Sequence, residues 1–82
     1  MNPADIVVGE HAAMQMQRRR ITLRDVALIL QFGEHVDGRE EGTREACIEL
    51  NGTPLTVVYD SVEHKFRGLF YVITVLKRRC WE

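Results

Sequence analysis

The spacing of apolar residues changes from helical to extended at Gly33, and this change constrains the fold more than any other feature. Before it, apolar residues follow the i, i+3, i+4, i+7 spacing of an amphipathic helix. Its positions are Leu23, Val26, Ala27 and Leu30. After it, apolar and polar residues alternate from Arg44 to Leu50, as in a strand with one buried face. Helices that precede the main strands, instead of alternating with them, predict an α+β domain.

Two helices are predicted in the first part of the chain. We place the second from Thr22 to Phe32, because Thr22 and Asp25 resemble a capping box. Gly33 is expected to end it in the left-handed conformation. We place the first helix from Glu10 to Arg19, where three residues are available for burial: Ala12, Ala13 and Met16.

Three strands are predicted after the helices, with a short fourth strand around Glu34 to Val36. The three are Arg44 to Leu50, Leu55 to Tyr59 and Leu69 to Leu76. Asn51-Gly52 predicts a tight hairpin. Asp60 to Gly68 is expected to be a polar turn from which Phe66 packs back onto the sheet, and Ile6 to Val8 an extended lead-in.

The expected architecture is therefore α+β, with two N-terminal helices packed on one face of a three- to four-stranded antiparallel sheet. A chain of 82 residues has room for one small hydrophobic core, so residues 1–82 are predicted to form a single domain. No apolar run approaches the roughly 20 residues that span a bilayer. No leader-like start is recognised, and we expect a cytoplasmic protein without a membrane partner.

Cysteine and histidine spacing does not indicate a metal or redox motif. Cys47 and Cys80 are far apart in sequence, and no two of the cysteines and histidines have metal-ligand spacing. We therefore expect reduced cysteines, no bound metal and no cofactor.

The basic residues are clustered although the net charge is only −1. Arg18-Arg19-Arg20 and Lys77-Arg78-Arg79 supply six of the eleven Lys and Arg residues. Because the whole chain is not basic, a nucleic acid would have to bind a local patch. Such runs are also typical of solvated ends of helices and strands.

One face of the first helix carries a stripe of His11, Gln15, Arg18 and Arg19, at about 100° per residue. An imidazole transfers protons near neutral pH, and a guanidinium holds a phosphate or a developing anion. Two structural explanations remain open. His11 can satisfy a backbone group, and Arg19 can stabilise the negative end of the helix dipole.

This segment resembles a known family. His11-Ala12, Met16, Arg19 and Ile21-Thr22 look like the H-A-x-x-R-M-x-x-R-G-I-[ST] signature of the small bacterial family called domain of unknown function 4258. The segments Leu55 to Asp60 and Val72 to Val75 resemble its L-x-V-V-x-D and V-x-T-V strands. Gln15 stands where the family usually has Arg, and Arg20 where it usually has Gly.

The resemblance implies a function, since the layout is similar to that of toxin endoribonucleases of toxin–antitoxin systems. It implies metal-independent cleavage of RNA and a cognate antitoxin as a protein partner. The implied catalytic residues are His11, Arg19 and Thr74. The implied substrate-binding residues are Gln15, Arg18, Lys77, Arg78 and Arg79.

A second hypothesis belongs to another class. A non-catalytic interaction module with the same fold would bind a partner protein or self-associate as a homo-oligomer. The missing Arg at Gln15 and the near-neutral net charge favour this alternative, whereas the His–Arg stripe favours the ribonuclease.

Overall fold

The computed structural model describes residues 1–82 and shows an α+β fold built on a five-stranded mixed sheet. The helices are α1 (Glu10–Arg19), α2 (Leu23–Phe32) and α3 (Ser61–Arg67), preceded by a 3₁₀ turn at Pro3–Asp5. The strands are β1 (Ile6–Val8), β2 (Glu34–Asp37), β3 (Thr43–Leu50), β4 (Thr53–Asp60) and β5 (Phe70–Leu76). Their order is β1-β5-β4-β3-β2, with β1 parallel to β5 and all other pairs antiparallel.

Both predicted helices are confirmed. At the start of α2, the Asp25 backbone N–H donates to Thr22 Oγ1 and the Thr22 N–H donates to the Asp25 carboxylate, which completes a capping box. The prediction of a left-handed Gly33 is wrong, since its φ is −74°. Glycine is required there because a Cβ would lie 2.5 Å from the Ile29 carbonyl oxygen and 2.9 Å from that of Cys47.

The left-handed stop belongs to α1 instead. Arg20 has φ 55° and ψ 41°, and its N–H donates back to the Gln17 carbonyl. A left-handed residue with a Cβ crowds the following carbonyl, so glycine is usual at such a stop. Arg20 therefore holds a conformation that a glycine would adopt without this crowding.

The predicted strands and hairpin are also confirmed; β2, β3 and β4 are longer than predicted, and β5 begins one residue later. Asn51 and Gly52 both have positive φ, 51° and 79°, as a type I′ turn between β3 and β4 requires. β4 pairs with β5 through Val57 and Val75, and the register shifts at Val58/Tyr59.

Two expectations about the sheet and its connections are wrong. Ile6–Val8 is a strand parallel to β5, so the sheet is mixed and has five strands, not three or four antiparallel ones. Residues 61–67 form helix α3 and not a turn, because Asp60 caps the N–H groups of Val62 and Glu63. Phe66 is 81% exposed and does not pack on the sheet.

The core lies between the sheet and helices α1 and α2. It contains Ala12 from α1, three residues of α2 and the inward side chains of the strands. The buried α2 residues are Val26, Ile29 and Leu30. The other face of β3 and β4 bears buried Glu45 and Thr56, which the C-terminal segment contacts. No helix is long and apolar enough to cross a bilayer.

The expectation of reduced cysteines is contradicted, because Cys47 and Cys80 form a disulfide with their Cα atoms 5.7 Å apart. The reason is tertiary. After β5 the chain turns across β4, where Thr56 Oγ1 donates to the Arg78 carbonyl at 2.6 Å. This turn places Cys80 beside Cys47 on β3.

Candidate functional site

Four polar residues from two distant parts of the chain line one open cavity of about 390 Å³. Gln15, Arg18 and Arg19 lie in the second half of α1, and Lys77 follows the end of β5. We call these four residues the cationic cluster. No apolar residue lines the cavity, so the site suits a charged, hydrated ligand and not an apolar one.

The pairing of β1 with β5 brings the cluster together. β1 covers only the first three residues of β5, from Phe70 to Val72. The Gly9 N–H then donates to the Val72 carbonyl at 3.1 Å, and α1 begins at the next residue. From there α1 packs along β5, so its last turn reaches the end of β5 and Lys77.

The cations of the cluster have no acidic partner. The ion pairs of the structure join Arg44 to Asp37, Arg67 to Glu63 and Arg78 to Glu45. Arg18, Arg19 and Lys77 therefore carry three positive charges around one cavity without compensation. Such an arrangement attracts a polyanion and weakens as salt screens it.

Gln15 determines where the Arg19 guanidinium lies. Arg19 Nε donates to Gln15 Oε1 at 3.3 Å, one turn back along α1. This contact leaves the terminal nitrogens of Arg19 and the amide N–H groups of Gln15 as donors for a ligand. Gln15 contributes no charge, but it orients the charged guanidinium of Arg19.

His11 lies on the same helix, in the first turn, and outside the cavity lining. It is exposed, and its side chain makes no hydrogen bond within the chain. The helical rise puts the His11 and Arg19 backbones about 12 Å apart along the axis. Because Arg19 reaches back to Gln15, its guanidinium is nearer to His11 than that spacing suggests.

An exposed aromatic ring lies near the start of α1. The Tyr71 hydroxyl is 3.2 Å from the position that a Cβ at Gly9 would take, and Tyr71 is 42% exposed. The ring is therefore a neighbour of the His11 turn. Phe70, the next residue back, is in the core.

Three predicted site residues lie apart from the cluster. Thr74 projects from the opposite face of the sheet to the core residue Val75 and lines a separate cavity of about 200 Å³ with Arg78. The register shift at Val58/Tyr59 is the reason, because strict alternation after Phe70 and Val72 would turn Thr74 towards the core. Arg78 turns to Glu45, and the Arg79 N–H donates to Glu82 within the C-terminal segment.

The sequence did not predict the roles of two polar side chains, the buried Glu45 and the half-buried His35. Glu45 is 3% exposed and accepts from both terminal nitrogens of Arg78, at 3.1 and 3.0 Å. His35 is held between the Tyr59 hydroxyl (2.7 Å) and the Leu30 carbonyl (2.8 Å). Alternation alone assigned Glu45 to a solvent face, and only the folded-back C-terminus covers it.

The same region contains possible metal ligands. One ligand atom each from Glu45, Cys47 and Cys80 lies within 4.8 Å of the others. In the cationic cluster, by contrast, no carboxylate, thiol or imidazole lines the cavity, so it has no usual metal ligand.

The chain belongs to the family described as Domain of unknown function (DUF4258), whose model matches residues 8–77. No curated protein and no solved structure matches the chain. The matched residues include His11 and the whole cationic cluster, whereas Cys80 lies beyond them.

Proposed function

We propose that this domain is a metal-independent endoribonuclease of toxin type that holds RNA phosphates in the cationic cluster. The observation that supports the proposal is the convergence of Arg18, Arg19 and Lys77, without acidic partners, around one wholly polar cavity. Phosphodiesters are the common polyanions that such donors bind, and Arg can contact two phosphate oxygens at once.

The cleavage step uses the RNA's own 2′-hydroxyl. Its oxygen forms a bond to the adjacent phosphorus while the bond from phosphorus to the 5′-oxygen breaks, which leaves a 2′,3′-cyclic phosphate and a 5′-hydroxyl. Arg19 and Lys77 stabilise the negative charge that builds on the phosphate oxygens. No metal ion takes part in this reaction scheme.

One proton leaves the 2′-hydroxyl and one reaches the departing 5′-oxygen. We assign one of these transfers to His11, because its side chain is exposed, makes no hydrogen bond and lies on the same face of α1 as the cationic cluster. Water exchanges the other proton. Tyr71, beside the His11 turn, offers a ring on which an unpaired base stacks.

The test is cleavage of mixed single-stranded RNA in the presence of EDTA, with product ends analysed. We expect His11→Ala to lower the rate about 10²- to 10⁴-fold, the usual range for general acid–base help. Arg19→Ala should lower both binding and rate. Arg24→Ala is the matched control, because Arg24 is exposed on α2 and makes no ion pair.

Gln15→Arg supplies a converse variant. It restores the charge that the family usually has at this position, and it should raise the rate if phosphate stabilisation limits the reaction. Wild-type rates in a folded His11→Ala variant would refute the assigned proton transfer. RNA that binds but is never cut would reduce the proposal to RNA binding.

A second candidate function, a non-catalytic protein-interaction module, is favoured by α3. Val62 and Phe66 lie one turn apart and are 51% and 81% exposed. Exposed apolar side chains at this spacing suit contact with a partner protein or a second copy. Sedimentation that shows self-association, lost in Phe66→Ser, together with no RNA binding, would favour this module over the nuclease.

A further inference from the structure

Cys47, Cys80 and Glu45 bring two sulfur atoms and one carboxylate to the face of β3 that is turned away from α1 and α2. Glu45 and Cys47 are two residues apart on the strand, so both project to this face. Cys80 comes from the C-terminal segment that lies across β4. We propose that the reduced chain binds one thiophilic divalent cation, such as Zn²⁺, through these three residues.

Reduction supplies the ligands. A dithiol reductant transfers two electrons and two protons to the Cys47–Cys80 bond, so two protein thiols form and the reductant becomes a disulfide. Each thiol then loses a proton when its sulfur binds the cation. The oxidised chain has no thiolate to offer, so oxidation and metal binding exclude each other.

The backbone spacing fits the metal. Zn–S bonds of about 2.3 Å at a tetrahedral centre separate the two sulfurs by about 3.8 Å. The Cα atoms of Cys47 and Cys80 are 5.7 Å apart, and side-chain rotation alone can open the sulfurs to that distance. The Thr56 hydroxyl bond to the Arg78 carbonyl does not involve the cysteines, so it holds the C-terminal segment in place after reduction.

The third ligand is buried and paired with a guanidinium. The Glu45 side chain is 4% exposed, and each of its oxygens accepts one bond from Arg78. Each oxygen keeps a further lone pair for a cation. Arg78 thus competes with the metal for this carboxylate, and a weaker Arg78–Glu45 ion pair should strengthen metal binding.

The fourth position is open to water. Cys47, Cys80 and Glu34 line one cavity of about 330 Å³. Glu34 pairs with Cys47 in the sheet register, so its side chain lies on the same face and offers a second carboxylate. Cys80 lies outside residues 8–77, so the site is a property of this chain and not of the matched family segment.

The experiment uses the full chain, reduced with a phosphine and titrated with Cd²⁺ or Zn²⁺ alone. We expect one cation per chain, a thiolate-to-cadmium charge-transfer band and protection of both thiols from alkylation. Cys47→Ser, Cys80→Ser and the oxidised protein should each lose the band. A stoichiometry of one cation per two chains would overturn the site, and so would an affinity equal to that of the urea-unfolded chain.

Two variants isolate the carboxylate. Glu45→Gln should weaken Cd²⁺ binding at least tenfold, whereas Arg78→Lys should strengthen it, because a single ammonium leaves one Glu45 oxygen free. If the substitutions only disturbed the fold, Cd²⁺ binding would weaken in both variants. That result would overturn the role of Glu45 as a ligand. None of these readouts depends on RNA, so they fail or succeed independently of the proposed ribonuclease.

Discussion

The two basic triplets have the same charge in the sequence, but their side chains find different partners in the fold. In the first, Arg18 and Arg19 stay uncompensated at the end of α1, within the cationic cluster. In the second, Lys77 joins that cluster, but Arg78 turns away to a buried carboxylate. Runs of like charge therefore do not act as units, because adjacent residues leave a strand end in different directions and find different partners.

The largest expected effect concerns Arg78. Arg78→Ala leaves the Glu45 carboxylate buried without a partner and should lower the free energy of unfolding by about 3 to 5 kcal/mol. Urea unfolding of the oxidised protein measures it. Arg18→Ala is the matched change in the other triplet, and exposed substitutions of this kind stay within about 0.5 kcal/mol. Equal losses in the two variants would remove the contrast between the triplets.

A smaller effect separates neighbours within the second triplet. Lys77→Ala should weaken single-stranded RNA binding about tenfold and lower the salt slope by about 0.7, as loss of one phosphate contact does. Arg79→Ala should change neither, because Arg79 lies outside the cluster. Fluorescence anisotropy over a range of salt concentrations measures both. An identical slope in the two variants would show that the second triplet acts as a diffuse patch.

The smallest effect concerns the last residue of the first triplet. Arg20→Gly relieves the left-handed strain at φ 55° and should raise stability by about 1 kcal/mol. Calorimetry should show a rise in Tm of about 4 to 8 °C for a domain of this size. RNA binding should change little, since Arg20 does not line the cavity. A loss of binding as large as that of Lys77→Ala would place Arg20 in the site.

Local signals explain which predictions were confirmed. The capping box at Thr22 and the type I′ turn at Asn51-Gly52 depend on residues close in sequence, so they could be recognised without the fold. Helix α3 was missed because its signal, Asp60 before Ser61, stood among polar residues that also suit a turn. Parallel pairing of β1 was missed because its partner β5 lies more than sixty residues away.

The candidate site divides in the same way. Helical periodicity placed His11, Gln15, Arg18 and Arg19 on one face, and Lys77 was included because it begins a basic run. The β1–β5 register aligns α1 with the end of β5. For this reason Lys77, and neither Arg78 nor Arg79, reaches the cavity beside α1. The covering of Glu45 follows from the path of the C-terminal segment across β4.

The sequence by itself determined helices α1 and α2, the main strands, the hairpin and the stripe on α1, because each depends on spacing within a few residues. Only the tertiary structure decided which cations stay free, which carboxylate is buried and that Cys47 meets Cys80. Contacts between residues thirty or more positions apart depend on strand order and register. Periodicity along the chain does not encode which strand lies beside which.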